Sequence, residues 1–365
     1  MKTAKIILAL SFILLSCIAY KHYSAIRIFP VSFTNEVVSP DGQQVVSSVF
    51  DRKKSENLVI IFYPSGKVAS SFLQYDLLLN PVWGSDSKTL FFGRMDKTYN
   101  KFNEIDDDNI CSISTESKSK LHTVVSKPGF ALGHPSASSD GVHLAYEQRK
   151  SGFRDEHTTT IFVRDLKTQR EWNMAPYRAT YPAYPVWSGD GNVLAFNGTQ
   201  DPSQEQQAPY LDDEKNPAIT SGLIWANSKD GFVPHFLKAK FSYFAPNSDG
   251  SQFALVAGVD KQGFKHVLQV VDSSGNQVAQ LKRSSVSVTL AWNSTNTAIF
   301  FLDNFYSSKD LQLCRWDIKT GQVDVLQTLP KLRGIILGYR NGTLFYSTAA
   351  LNEDNSSQIN QLKTD

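Results

Sequence analysis

A single hydrophobic–polar pattern recurs along most of the chain. In each copy an aromatic or apolar pair precedes a short polar turn, usually with Asp-Gly, and an apolar run follows the turn. The clearest copy extends from Trp187 to Phe196, with Asp190-Gly191 at its turn. Asp-Gly supplies the positive φ angles that a tight hairpin needs, and the flanking runs are rich in strand-forming residues. The pattern therefore predicts a β-hairpin in every copy.

The spacing of the copies predicts one copy per blade of a β-propeller, because each interval is close to the length of a blade with loop insertions. A second strand–turn–strand pattern lies between copies, as at Ile161–Leu166 before Lys167-Thr168. Four-stranded sheets cannot bury their faces alone, but a ring of them can. Residues 23–365 are therefore predicted to form an all-β, seven-bladed β-propeller, with six blades and a C-terminal extension as the alternative. The turns lie at positions 41, 86, 140, 190, 249, 295 and 341.

The two ends of this region are predicted to meet in one sheet. After the last turn the chain holds two strands and a third strand-like run at Gln358–Leu362. A short run of the same kind, Ala25–Phe29, precedes the first copy. We expect this N-terminal run to complete the seventh blade, because such pairing would cover an edge that could otherwise pair with other chains.

Residues 1–22 have the pattern of an export signal or a membrane anchor helix. Lys2 and Lys5 precede an uncharged apolar run over residues 6–20, which is shorter than the roughly 20 residues of a transmembrane helix. The segment Leu-Leu-Ser-Cys ending at Cys17 makes that cysteine a candidate for lipidation, while cleavage after small residues or retention of the segment remain alternatives. The protein is therefore expected to be exported and periplasmic, either released or held at the membrane as an anchored protein or lipoprotein.

Composition narrows the range of partners. Lys and Arg total 37 against 35 for Asp and Glu, so the chain lacks the strong basic excess that nucleic-acid binding requires. Apolar residues make up 41 % of the chain, enough for a sizeable core. Three cysteines are too few for a disulfide scaffold. Cys111 and Cys314 are predicted to be buried thiols on the third strands of blades too far apart to bridge.

The pattern Trp-Ser-x-Asp-Gly-x-x-Leu-Ala-Phe over residues 187–196 resembles the β-propeller repeat of the TolB family. The same repeat occurs in the propellers of prolyl-oligopeptidase-like proteins. The resemblance extends from about residue 25 to the end of the chain and implies an exported, TolB-like propeller. The separate N-terminal α/β domain of TolB proteins has no counterpart in the sequence.

No motif predicts catalysis, and neither a cofactor nor a metal site is predicted. The chain contains no Gly-x-Ser-x-Gly turn of the kind that carries a hydrolase nucleophile. The seven histidines are scattered, with no spacing typical of a metal site. His134, close to the third turn, is the histidine best placed for a functional role, although an ordinary hydrogen bond to the backbone is the favoured interpretation. The Asp of each Asp-Gly turn is interpreted as structural.

Three long insertions suggest where a partner would bind. They span residues 94–109, 148–158 and 197–220, between the second and third predicted strands of blades two, three and four. Such insertions would crowd one side of one rim and present aromatic side chains, although simple tolerance of surface insertions is an equal alternative. Aromatic residues in the links between blades share that face, and about half of these are expected to pack between blades. The predicted rim consists of Tyr99, Phe102, Phe153, Tyr210, Tyr181 and Tyr243.

The leading functional hypothesis is a non-enzymatic propeller that acts as a protein–protein interaction module in the cell envelope. Its partner would be another protein, with membrane contact through the N-terminal segment and no nucleic acid. One alternative is a propeller enzyme, a glycan lyase or hydrolase, acting at the channel mouth. Another is a small-ligand sensor module. Converging His, Arg and carboxylate groups at the channel would favour an enzyme, whereas an aromatic rim would favour binding.

Overall fold

The computed structural model describes an all-β chain. Among the residues that the structure describes, the regular structure apart from strands is one 3-10 turn, Ser228–Asp230. Among the described residues, which are given at the end of this paragraph, no helix is long and apolar enough to cross a membrane. The predicted N-terminal helix (residues 1–22) and the predicted strand at 25–29 lie outside them. The described residues are 37–51, 56–63, 68–74, 78–95, 108–116, 121–150, 159–175, 177–179, 184–199, 221–239, 241–258, 266–283, 286–303, 310–329, 332–350 and 357–364.

The strands fall into seven antiparallel sheets, numbered along the chain. Sheet one holds β1 (Val37–Val38), β2 (Val45–Asp51), β3 (Glu56–Phe62) and β4 (Val68–Gln74). Sheet two holds β5 (Leu78–Trp83), β6 (Thr89–Met95), β7 (Asp108–Ser114) and β8 (His122–Val125). Sheet three holds β9 (Phe130–Ala137), β10 (His143–Lys150), β11 (Thr160–Asp165) and β12 (Glu171–Asn173).

In the fourth sheet the inner strand is broken into two pieces that both pair with β15. The sheet holds β13 (Arg178–Ala179), β14 (Val186–Trp187), β15 (Val193–Thr199), β16 (Ser221–Asn227) and β17 (Pro234–Lys238). Sheet five holds β18 (Tyr243–Pro246), β19 (Gln252–Gly258), β20 (His266–Asp272) and β21 (Gln277–Arg283). Sheet six holds β22 (Val286–Trp292), β23 (Ala298–Asp303), β24 (Leu311–Asp317) and β25 (Val323–Leu329). Sheet seven holds β26 (Leu332–Arg340), β27 (Thr343–Ala350) and β28 (Ser357–Lys363).

The first strands of the seven sheets form a closed inner ring. Each contacts the first strand of the sheet before it and of the sheet after it, and β26 of the last sheet contacts β1 of the first. Within each sheet the following strands pair in sequence order away from this ring. The chain is therefore a seven-bladed β-propeller, as the repeat predicts, and the six-bladed alternative is wrong.

Hydrophobic packing follows the same ring, because each of the seven buried clusters in the described residues joins two neighbouring sheets. The cluster between sheets one and two, for example, brings Val46 and Ile61 against Trp83 and Leu90. The cluster that closes the ring is the smallest, with Val38, Val45 and Phe345 as its buried members. Burial of apolar faces between blades thus stabilises the propeller at every interface.

The polar turns have the structural role that the sequence predicts. In the fourth sheet, Ser188 Oγ donates to Asp190 Oδ1 at 2.6 Å, and the same oxygen accepts the backbone N–H of Asn192 at 3.0 Å. Gly191 has a φ of 78°, which closes the turn. Burial opposes ionisation of Asp190, but these hydrogen bonds prevail and lower its pKa. The same Ser-to-Asp hydrogen bond occurs between Ser39 and Asp41.

The repeated tryptophans pack between blades and also donate hydrogen bonds to the backbone of the preceding blade. The indole N–H of Trp83 donates to the carbonyl of Val37 at 2.9 Å. Trp292 makes the same contact with Ala245 at 2.9 Å. Trp187 likewise donates to the carbonyl of Ser136 at 2.9 Å. In each case the acceptor lies two residues before the turn of the preceding sheet, so these indole bonds join sheets one and two, three and four, and five and six.

The propeller has two distinct faces. Ser228, after the third strand of sheet four, donates its backbone N–H to Asn192 in the first turn of that sheet. Leu166 and Val142 make the equivalent bond in sheet three. The first and third connections of a sheet therefore share one face, here called the turn face. Because antiparallel strands alternate in direction, the second connections and the links between sheets lie on the opposite face, the link face.

Candidate functional site

Several inner strands carry a β-bulge at the same level of the propeller. The pairing register shifts between Leu79 and Val82 in β5, and between Gly133 and Ser136 in β9. Pro81 and Pro135 lie inside these two bulges, where the missing backbone N–H breaks no ladder bond. A bulge bends its strand and redirects the side chains beside it. The repeated proline therefore sets the direction of the residues just before it.

Two residues that precede a proline of an inner strand, in neighbouring blades, have strained backbones. His134 has a φ of 45° and Tyr184 a φ of 41°, and each precedes a proline. A positive φ in a bulky residue costs of order 1–3 kcal/mol and is concentrated at functional sites. Both residues lie four positions before the first turn residue of their sheets, in neighbouring blades. Their rings meet edge to face, with centroids 5.0 Å apart.

His134 contacts a buried carboxylate. Its Nδ1 lies 2.8 Å from Oε2 of Glu147, which stands on β10 opposite Gly133 in the bulge. His134 is 8 % and Glu147 3 % exposed, whereas Tyr184 is 47 % exposed. A buried polar side chain is stable only when it is hydrogen-bonded, and the contact between the imidazole and the carboxyl group supplies one such bond. We call His134, Glu147 and Tyr184 the His134 cluster; its carboxylate fixes the imidazole, and its phenol ring is accessible.

The sequence did not predict this contact. It marked His134 as the histidine to follow but favoured a backbone hydrogen bond, and it did not connect Glu147 with any site. The two residues are 13 positions apart and meet only because the bulge in β9 brings them together. The Pro after His134 and Tyr184 is the one sequence signal that could have suggested the bulge.

Of the six residues of the predicted rim, Tyr243 lies within the described residues. Tyr243 begins β18, is half-buried, and packs against the cluster between sheets five and six. Burial raises the pKa of Tyr243 to about 12. It therefore has the packing role that was expected of about half the link aromatics. Tyr99, Phe102, Phe153, Tyr181 and Tyr210 lie outside the described residues, as does Cys17.

A strand lies on each side of every one of the three long insertions. One insertion lies between β6 and β7, the next between β10 and β11, and the third between β15 and β16. Each therefore joins a second strand to a third strand, in three consecutive blades. All three begin and end on the link face.

A second polar cluster stabilises the outer part of blade three. Glu171 accepts a hydrogen bond from the hydroxyl of Tyr146 at 2.7 Å, and it pairs with Lys127 at 2.9 Å and Arg164 at 2.8 Å. Lys127 Nζ also lies 3.9 Å from the ring centroid of Phe162, a cation–π contact. Burial opposes ionisation of Glu171, but these partners prevail and lower its pKa. The cluster fixes the link between blades two and three onto blade three.

The two described thiols and the imidazole of His143 are buried inside the propeller. Cys111 on β7 and Cys314 on β24 are buried and not joined by a disulfide, as predicted. Burial and the nearby Asp303 raise the pKa of Cys314 to about 12, which makes its thiol unreactive. His143 is enclosed by aromatic rings, including Trp187 and Phe232, and burial lowers its pKa. No group of three or more His, Cys, Asp or Glu in these ranges is arranged to hold a metal ion.

Comparison with known proteins gives similarity in fold. No protein-family model matches the sequence, and no curated protein sequence is similar to it. Prolyl oligopeptidase B from Galerina marginata is 13 % identical, with a TM-score of 0.56 over 87 % of this chain and 47 % of that one. Dipeptidyl peptidase 4 from Porphyromonas gingivalis is 13 % identical, with a TM-score of 0.56 over 91 % of this chain and 52 % of that one. The chain thus spans about half the length of these peptidases.

One similar structure is a propeller on its own. The β-propeller domain of the Trilobed protease from Pyrococcus furiosus, which has an open velcro topology, is 13 % identical to this chain. The match has a TM-score of 0.56 and covers 91 % of this chain and 97 % of that domain. The chain therefore has the fold of peptidase propeller domains.

Proposed function

We propose that the chain is a non-enzymatic, exported, TolB-like propeller that binds another protein on its link face. The observation that carries this proposal is the position of the three long insertions, which open on that face from consecutive blades. Loops held by a rigid scaffold are common recognition elements. The seven interblade clusters make the propeller such a scaffold.

Aromatic residues also support the proposal that the link face binds a protein. Tyr99, Phe102, Phe153 and Tyr210 belong to the three insertions. Tyr184, in the break between β13 and β14 of sheet four, is 47 % exposed. Aromatic side chains are enriched at protein–protein interfaces, where they bury large areas at low entropic cost. The proposed partner is therefore a protein that covers the rim over blades two to four.

Export of the propeller to the periplasm is part of the same proposal. A basic start followed by the apolar run at residues 6–20 supports export to the periplasm. Lipidation at Cys17 or retention of the segment would hold the propeller at the membrane, whereas cleavage would release it. Metabolic labelling with a radioactive fatty acid, compared between the natural chain and Cys17→Ser, distinguishes lipidation from the other two.

The binding proposal is tested by deleting residues 200–216 from the third insertion. The matched control is Val233→Ser, which changes a 54 % exposed side chain on the turn face. Both variants and the natural chain are used for affinity capture from cross-linked envelopes, with thermal unfolding to check the fold. We expect the deletion to lose the specific partner while its melting temperature stays the same. Identical captured proteins from all three would contradict the proposal.

The second candidate is an enzyme at the channel mouth, and the His134 cluster is the observation that favours it. A carboxylate-bound imidazole beside an accessible phenol is an arrangement used in general acid–base catalysis. Purified protein and Glu147→Gln are incubated with glycan and peptide libraries, and the products are analysed by mass spectrometry. Turnover that falls at least about a hundredfold in Glu147→Gln would favour the enzyme over the binding module.

A further inference from the structure

The tripeptide Asn-Gly-Thr occurs at two places in the chain, residues 197–199 and 341–343. Asparagine is a thermolabile residue because its side-chain amide can be attacked by the backbone nitrogen of the next residue. A glycine in that next position has no side chain to shield the nitrogen. The local sequence is the same at both places, so any difference in reactivity between them comes from the fold.

The first copy lies inside a sheet. Asn197 and Gly198 belong to β15, which is paired with β13 on one side and β16 on the other. Gly198 is buried and stands opposite Ala179 of β13 and Gly222 of β16. A strand paired on both edges has its N–H groups engaged in the ladder, and they are released when the sheet opens locally. The fold therefore holds the backbone nitrogen of Gly198 away from reaction.

The second copy forms the first turn of sheet seven. β26 ends at Arg340 and β27 begins at Thr343, so Asn341 and Gly342 make up the whole loop. Their φ angles are 48° and 74°, as in a type I′ turn, and Asn341 is exposed. The carbonyl of Gly342 accepts the backbone N–H of Thr364 at 3.1 Å, whereas its own N–H donates no backbone hydrogen bond within the described part of the chain. The asparagine amide thus stands in solvent beside a backbone nitrogen that no ladder holds.

This turn also differs from the acidic turns in how its side chain is held. In sheet four, Asp190 Oδ1 accepts the backbone N–H of Asn192 at 3.0 Å, which fixes the carboxylate against the turn. The turn of sheet seven is shorter, and the N–H two positions after Asn341 belongs to Thr343, which already begins β27. The Asn341 side chain is therefore not fixed by the bond that fixes Asp190.

We propose that Asn341 is a site of spontaneous deamidation and that Asn197 is protected by its sheet. The backbone nitrogen of Gly342 attacks Cγ of Asn341 and forms a cyclic succinimide. The proton released by this nitrogen passes to the side-chain NH2 group, which leaves as ammonia. Water then opens the ring at one of its two carbonyls and gives aspartate or isoaspartate. The reaction needs no oxidant and no co-reactant besides water.

The two products would change the seventh blade differently. Aspartate suits a type I′ turn and gives it a carboxylate, as most other first turns of the propeller have. Isoaspartate lengthens the backbone of the loop and so disturbs the pairing of Arg340 with Thr343. The turn lies at the interface that closes the ring, since Arg340 Cβ is 3.9 Å and the ring of Phe345 3.1 Å from where a Cβ at Gly42 would be. Isoaspartate should therefore loosen ring closure, whereas aspartate should not. The site is on the turn face and is independent of the proposed binding function.

Ageing of the full chain tests the site. The natural chain and Asn341→Gln are kept in detergent micelles in warm, mildly alkaline buffer, and peptide mass spectrometry locates each amide that has become a carboxyl group. We expect Asn341 to react at least about tenfold faster than Asn197 in the folded chain, because Asn197 reacts after its sheet opens locally. In concentrated urea the two asparagines should react at similar rates, and Asn341→Gln should show no reaction at this position. Equal rates in the folded chain, or a faster reaction at Asn197, would overturn the proposal.

A second measurement tests the effect on ring closure. Isoaspartate is quantified by enzymatic methylation of its carboxyl group, and hydrogen exchange of the aged chain is compared with that of Asn341→Asp. We expect amides of sheets one and seven to exchange faster in proportion to the isoaspartate content, while Asn341→Asp exchanges like the fresh natural chain. Full protection of these amides in a chain rich in isoaspartate would refute the predicted loosening.

Discussion

At the scale of single residues, the His134 cluster shows how a strained backbone and a buried charge support each other. The positive φ of His134 turns its ring toward Glu147, and their hydrogen bond offsets the cost of burying the carboxylate. An exposed ion pair of the same length, Lys88 with Glu116 at 2.8 Å, has no such role because water solvates both partners.

Replacing each carboxylate separates these two situations. Glu147→Leu leaves the buried imidazole without this partner, so we expect the free energy of unfolding to fall by about 1–3 kcal/mol. Glu116→Gln should have a much smaller effect, because water solvates both partners of this exposed pair. Urea denaturation of both variants measures the difference. Equal and small effects would show that the buried hydrogen bond contributes little.

Two glycines with the same φ of +70° allow strain to be separated from packing. Gly231 has open space where a Cβ would stand, whereas a Cβ at Gly250 would overlap the buried side chain of Val193 in the neighbouring blade. Gly231→Ala should cost about 1 kcal/mol from the left-handed backbone alone. Gly250→Ala should cost about 1–3 kcal/mol more because it also overpacks the interface. Matching melting temperatures for the two variants would argue against this.

At the scale of elements, the indole bonds connect strands that are far apart in sequence. Trp187 lies 51 residues from its acceptor Ser136 and joins β14 to β9 across an interface. Trp172 packs against the same cluster, but its indole N–H has no hydrogen-bond partner among the described residues. The two tryptophans thus pack on one cluster but differ in the indole hydrogen bond, and Trp172 also has Arg170 over its ring, 4.9 Å from the ring centroid.

Phenylalanine substitution at both positions compares a tryptophan with the indole hydrogen bond to one without it. Trp187→Phe loses the donor to Ser136 as well as ring contacts, so it should be about 0.5–1.5 kcal/mol more destabilising than Trp172→Phe. Guanidinium denaturation followed by circular dichroism gives both values. If Trp172→Phe is as costly as Trp187→Phe, ring packing and not the hydrogen bond holds the interface.

The same elements show how far the sequence determines the structure. Turns and hairpins are local, so Asp190-Gly191 and its copies predict them, and repetition gives the blade number. The break between β13 and β14 and the bulge that brings His134 to Glu147 depend on pairing with other strands. The pattern of one copy predicts that consecutive strands pair, but not where their register shifts, so it does not predict these contacts.

At the scale of the whole molecule, the interface that closes the ring is the smallest of the seven in the described residues. Val38 and Val45 meet Phe345, and the ring of Phe345 also lies 3.1 Å from where a Cβ at Gly42 would be. Other interfaces bury six or more residues, as between sheets one and two. Closure thus depends strongly on one aromatic side chain.

Truncating that side chain should loosen the propeller at one place. Phe345→Ala is expected to cost about 3–5 kcal/mol and to increase amide exchange first in sheets one and seven. Phe301→Ala, in the larger cluster between sheets five and six, should cost a similar amount without selective exchange in those two sheets. Uniform exchange throughout Phe345→Ala would mean that all interfaces open together.

The indole hydrogen bonds also group the first six blades into three pairs. Blades one and two, three and four, and five and six form pairs, and in each pair one of these indole-to-carbonyl hydrogen bonds joins the two blades. The seventh blade takes part in none of these three bonds. Excising a complete pair leaves every remaining indole with its acceptor, whereas excising a single blade from a pair orphans a donor or a carbonyl. Shortened or lengthened versions of this ring would therefore keep their internal matching when they change by two blades at a time.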